Sequence, residues 1–186
     1  MSTKRFLFAG FGGQGVLLMG QILSYGAMIS GREVSFMPSY GPEMRGGTAN
    51  CTVIVSDQPI ASPVSTKIDV LVAMNGSSLE RFQNQVSKGG IVFINSGMIH
   101  DAVVPDGVRA VYVDCKKMAA QILQNEKVAN VVMLGAVLKE TEVLESQHWK
   151  PAIESMFREK KQGMIEINNR ALHVYEQEIV YQLEES

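Results

Sequence analysis

The chain has 186 residues, 46% of them apolar, and carries 17 basic against 19 acidic side chains. That is enough apolar mass for a packed core and too much for a disordered chain. A net charge near −2, with Lys and Arg spread along the sequence, argues against nucleic acid, which needs a concentrated basic footprint.

In chain order, "RFLFAG" at 5–10 is a short apolar run ending in glycine and predicts a buried strand. "GVLLMGQILSYGAMIS" at 15–30 places Leu17, Leu18, Gln21, Ile22, Tyr25 and Ile29 at helical spacing, with Gly31 as the stop. A second strand begins at Glu33. Strand, helix and strand in this span predict a βαβ unit whose two strands are parallel neighbours. "ANCTVIVS" at 49–56 predicts a third strand, and "DQPIASPVSTK" a turn with room for a short edge strand. "DVLVAM" at 69–74 is a buried strand, and Asn75 reads as the N-cap of a helix reaching about Val86. "KGG" reads as its stop, followed by strands at 91–95 and 110–114. Beyond them the pattern is helical. "NVVMLGAVLKE" at 130–140 is apolar nearly all round, which implies burial on every side, and Gly135 would admit a close backbone neighbour. It is also where burial by a partner chain is expected. Two further helices flank Gly163.

Strands alternating with helices predict an α/β, three-layer, Rossmann-like domain. Its sheet is mostly parallel, with helices on both faces and a helical C-terminal part from about 145. One domain over 1–186 is expected. The longest strongly apolar run, 131–138, is far below the roughly 18 residues of a membrane span. The N-terminal apolar stretch is too short for a signal peptide. A soluble cytoplasmic protein without a membrane partner is expected. Cys51 and Cys115 stand alone, which makes a disulfide, zinc or iron–sulfur site on this chain improbable. Eleven methionines read better as core gap-fillers than as an adaptable contact surface. His100, His148 and His173 lack metal spacing and read as surface or internally satisfied histidines. Neither G-x-S-x-G nor a P-loop is present. Asp101, Asp106 and Asp114 read as turn and strand-end residues.

In open α/β sheets ligands collect at the carboxyl ends of the strands. That rim should carry the 10–15 loop and the loop "SYGPEMRGGT" at 39–48. "GFGGQG" matches the dinucleotide pattern G-x-G-x-x-G between a strand and a helix. The pattern also wants an acid at the end of the second strand, to hold a ribose. Glu33 has nearly the right spacing but sits at the start of that strand. Three readings stay open: a dinucleotide turn, a glycine turn that only packs helix on strand or on a partner, and another anion or coenzyme contact at the helix terminus. Arg45 is the strongest single candidate. Its guanidinium could bind a carboxylate or phosphate, or it could pair with Glu43 to hold the loop.

"GFGGQGV", "SYGPEMRGGTAN", "DVLVAMN" and "NVVMLGA", in that order, resemble the gamma subunit of the 2-oxoacid:ferredoxin (acceptor) oxidoreductases over roughly residues 6–138. "YGPEMRGG" looks like the 2-oxoglutarate and branched-chain 2-oxoacid members, with a lean to 2-oxoglutarate. The resemblance implies a multi-subunit enzyme that decarboxylates a 2-oxoacid on thiamine diphosphate. Electrons pass through iron–sulfur clusters to ferredoxin, and the acyl group is transferred to coenzyme A. Thiamine diphosphate, magnesium and the clusters would lie in partner subunits, with no cofactor bound by this chain alone. "PDG" at 105–107 does not supply the GDG-type diphosphate motif. No catalytic or metal-binding residue is expected here. The candidate rim for coenzyme A is Gly12, Gly13, Gln14, Gly15, Tyr40, Glu43, Arg45 and Gly46. The chain would be inactive alone, and in isolation it could cover apolar surface as a homodimer. The competing expectations are a stand-alone nucleotide-binding oxidoreductase and a purely structural assembly subunit.

Overall fold

The computed structural model describes residues 3–40, 48–158 and 162–184. In chain order the elements are β1 (Thr3–Phe11), α1 (Val16–Ile29), β2 (Glu33–Tyr40), β3 (Thr48–Ser56), β4 (Ile68–Ala73), α2 (Gly76–Phe82), β5 (Val86–Asn95) and β6 (Arg109–Val113). Four helices follow: α3 (Cys115–Leu123), α4 (Ala129–Thr141), α5 (Trp149–Met156) and α6 (Gln162–Glu184). The strands form one sheet in the order β2-β3-β1-β4-β5-β6. β1, β2, β4, β5 and β6 share one direction, and β3 runs against them. This is the expected mostly parallel α/β sheet.

The apolar runs are continuous because both faces of the sheet are covered. Phe6, Phe8, Val70, Val72 and Phe93 point into one core, built with α1, α3, α4, α5 and α6. Their alternates Leu7, Ala9, Leu71, Val92 and Ile94 point into a second, smaller core with Leu79 and Phe82 of α2 and residues Ile99, Ala102 and Val104. Helices therefore lie on both faces, but unevenly. The C-terminal helices join α1 on one side and leave α2 alone on the other.

The structure corrects four local expectations. β1 and β2 are not neighbours, because β3 pairs antiparallel with each and lies between them. Among the described residues, 57–67 form no strand. The helical run after Asn75 does reach Gln85, α2 passing into a 3-10 turn at Gln83–Gln85, but Gly163 lies inside α6 rather than between two helices. "KGG" does not stop a helix. It lies inside β5, where Ile68 pairs with Val86 but Val70 pairs with Ile91. The extra residues bulge out of the ladder, with Gly89 at φ 79°.

α4 is buried on every side as its pattern requires, but by this chain itself. Val131 to Leu138 are all fully or nearly fully buried in the single chain, packed against α1, α3 and α6. A partner is not needed to cover it.

Asn75 caps α2 as expected, its Oδ1 accepting from Ser78 N–H at 2.9 Å. Asn75→Ala should cost about 1 kcal/mol, lowering Tm by roughly 2–4 °C for a chain of this size, measurable by calorimetry.

Candidate functional site

The sheet register decides which residues meet. At one edge Thr3, Ser56 and Glu33 lie side by side; at the other, Phe11 pairs with Thr48, and Ala49 with both Gly10 and Tyr40. The ends of the 41–47 connection therefore flank the glycine loop, as the sequence suggested, though through β3 rather than by direct β1–β2 contact. Glu33 lies seven residues from Tyr40, roughly 23 Å away along the strand. It cannot hold the ribose of a nucleotide seated on the glycine loop. The predicted candidates Glu43, Arg45 and Gly46, and the side chain of Tyr40, lie outside the described residues.

The glycine turn follows β1 directly. Gln14 N–H donates to the Phe11 carbonyl at 3.1 Å. Gly13 has φ 97° and an open flank. Gly15 has φ 72°, and a Cβ there would overlap the side-chain amide of Asn130. This position thus requires glycine for its backbone angle and for its neighbour. Asn130 Nδ2 donates to the Gly15 carbonyl at 3.3 Å, the same oxygen that accepts from Met19 N–H to start α1.

Above the carboxyl ends of β1, β4, β5 and β6 lies a crevice of about 660 Å³. The turn, Met74, Asn95 and Cys115 form part of its wall. α1, α3 and α4 all begin at this crevice. Three helix N-termini pointing at one cavity favour an anion there. Lys116, Lys117 and Lys127 add positive charge against Asp114 and Glu126. Asp114 is committed as the N-cap of α3, accepting from Lys117 N–H at 3.1 Å, and Glu126 pairs with Lys116 at 3.1 Å.

The sequence reading missed Asn130 and the three lysines, and took Asp114 for a strand end. Asp before an apolar-periodic run is an N-cap signal, so the cap of α3 was legible. The convergence of α4 on the glycine turn was not, since it depends on packing between distant segments.

Both cysteines are buried. Burial, and then the charge of Asp114, pushes the Cys115 thiol up to about 12. Burial pushes Cys51 to about 12 as well. The thiolate is the reactive form, so both thiols are held in the unreactive, protonated state. Native chain should resist thiol reagents at about pH 8, where unfolded chain reacts at both positions. Because the folded state keeps protons that the unfolded chain releases above about 9, stability should fall as pH rises from about 9 towards about 12. Urea titrations across that range measure it. His100 and His173 are exposed. His173 leans on Trp149 and contacts Glu176 at 3.2 Å, and His148 is half-buried with its Nδ1 unpartnered among the described residues. Among the described residues no cluster of His, Cys, Asp and Glu could hold a metal ion. No described helix is long and apolar enough to cross a membrane.

Residues 5–174 match the pyruvate ferredoxin/flavodoxin oxidoreductase family. The chain belongs to that family. It is 39% identical over 172 residues to the ketoisovalerate oxidoreductase subunit VorA of Methanothermobacter thermautotrophicus, covering 90% of this chain and 35% of that one. It is 32% identical over 152 residues to the 2-oxoglutarate synthase subunit KorC of Methanocaldococcus jannaschii, covering 81% of each. The chain thus spans about a third of the VorA relatives and four-fifths of KorC. Among solved structures, the keto/oxoacid ferredoxin oxidoreductase gamma subunit from Geobacter sulfurreducens superposes with a TM-score of 0.80 at 27% identity, over 94% of each chain. Family membership and fold agree with the resemblance drawn from "GFGGQGV" and "YGPEMRGG".

Proposed function

We propose that the chain is the gamma subunit of a cytoplasmic 2-oxoacid:ferredoxin oxidoreductase and that its strand-end crevice helps to seat coenzyme A. The observation that carries the second part is the convergence of three helix N-termini and three lysines on one crevice beside the glycine turn. Coenzyme A brings phosphates, and this is the chemistry such a site favours. Thiamine diphosphate, magnesium and the clusters belong in this reading to partner subunits, where they supply the decarboxylation and electron transfer. This chain's part is to bind and orient: the N–H groups of Gly13 and Gly15 and the ammonium groups of Lys117 and Lys127 would meet the anion, while Lys116 is held by Glu126.

We further propose 2-oxoglutarate as the preferred substrate. The "YGPEMRGG" loop supports it together with the match to KorC over most of both chains; the higher identity to VorA names the competitor to be tested. In the assembled enzyme, viologen reduction should show a kcat/KM for 2-oxoglutarate about tenfold or more above that for ketoisovalerate, a difference of about 1.4 kcal/mol. The reverse order would assign the enzyme to branched-chain substrates. A stand-alone dinucleotide enzyme is disfavoured by the position of Glu33 at the far edge of the sheet. Tight NAD(P) binding by the purified chain would restore that reading.

A further inference from the structure

Gln14 lines the crevice, yet its amide faces the protein. Oε1 accepts from Phe11 N–H at 2.7 Å and from Asn75 Nδ2 at 2.9 Å. Nε2 donates to the Met74 carbonyl at 3.1 Å. Both acceptor sites of the oxygen and one of the two donors are thereby committed. The same Met74 carbonyl accepts from Asn95 Nδ2 at 3.2 Å, and Asn95 Oδ1 takes the Cys115 thiol at 3.5 Å. Met74 N–H donates to the Ala9 carbonyl at 2.9 Å. The Gln14 side chain thus ties the turn after β1 to the end of β4 and to the cap of α2, and through the shared Met74 carbonyl the network continues to Asn95 at the end of β5 and to Cys115 at the start of α3. No bond among the described residues uses the N–H groups of Gly13 and Gly15, and both residues line the crevice.

We infer that Gln14 is a positioning residue rather than a ligand contact. It acts as a clasp that fixes the glycine turn, so that the backbone N–H groups beside it are aimed at the phosphates of coenzyme A. The inference rests on the coenzyme A reading above, and its role for Gln14 goes beyond that reading. A free turn of glycines would have to be ordered at each binding event, and the clasp removes that entropic cost in advance.

The test uses the assembled enzyme with Gln14→Met, which keeps the volume and removes all three bonds. The KM for coenzyme A should rise about tenfold, with kcat within about threefold and the KM for the 2-oxoacid unchanged. Amide hydrogen exchange of the 11–15 turn should accelerate at least about tenfold in the same variant. Unchanged exchange overturns the clasp. Faster exchange with every kinetic constant unchanged also overturns the positioning role, leaving Gln14 as a support of the fold alone. Wild-type enzyme separates the two readings. If coenzyme A fails to protect the turn from exchange while Gln14→Met still loosens it and raises the KM of the 2-oxoacid, the clasp stands and the coenzyme A placement falls. If Gln14→Met does not assemble, Asn75→Ala removes only one of the three bonds and should raise the KM for coenzyme A about threefold; no rise would overturn the proposal.

Discussion

Gly135→Ala should destabilise the chain by about 3 kcal/mol, a fall in Tm of roughly 6–12 °C for a chain of this size. α4 and α6 meet at backbone distance here. A methyl group at 135 would overlap the Leu172 carbonyl oxygen of α6 and lie 2.9 Å from its carbon. Neither neighbour is the tip of a flexible side chain, so the two helices must separate. Residues on both sides of the contact, Leu134, Ala136, Ala171 and Leu172, are fully buried, so separation opens voids as well. Gly163→Ala is the matched control. It is the same substitution in the first turn of α6, where an added Cβ meets nothing. Helix propensity should make it neutral or stabilising by about 0.5 kcal/mol. Calorimetry on the two variants separates a packing role for Gly135 from a general dislike of alanine in these helices.

Gly15→Ala should cut kcat/KM for coenzyme A in the assembled enzyme about thirtyfold, equivalent to about 2 kcal/mol. Two costs add. An L-residue at φ 72° is held in the left-handed region, and its Cβ drives away the Asn130 amide that bonds the Gly15 carbonyl. The second cost can be isolated. Asn130→Ala removes the overlapped amide, so the double variant should recover about 1 kcal/mol relative to the sum of the two single changes. Strict additivity would mean that the turn and the start of α4 do not communicate. The position would then matter for its backbone angle alone.

The strands and the main helices were readable from the sequence because their signals are local. Phe6 to Ala9 and Val70 to Ala73 are continuous apolar runs, as buried strands require. Neighbour relations were less readable. Nothing in the pattern of 33–40 or 48–56 says which strand lies beside β1, and the insertion of β3 follows from a hairpin whose connection is the 41–47 segment. Lys88, Gly89 and Gly90 look like a helix stop; only the pairing with β4 shows a bulge, because a bulge is a property of two strands. In the site, the glycine turn and Asn75 announced themselves by chemistry at an element boundary. The inward turn of the Gln14 amide, and the meeting of Asn130 with Gly15, 115 residues apart, depend on packing that no short window of sequence records. Apolar periodicity correctly required α4 to be buried. It could not say by what, and the answer is this chain's own helices rather than a partner.

Recovery of the tagged chain from its native cell, with assay of the eluate, tests whether it works as one subunit of a larger oxidoreductase. Larger subunits should be present in the same complex, with thiamine diphosphate and an iron–sulfur chromophore co-eluting with them, and ferredoxin reduction should require both a 2-oxoacid and coenzyme A. Recovery of this polypeptide alone, active on a 2-oxoacid without any partner, would contradict that role.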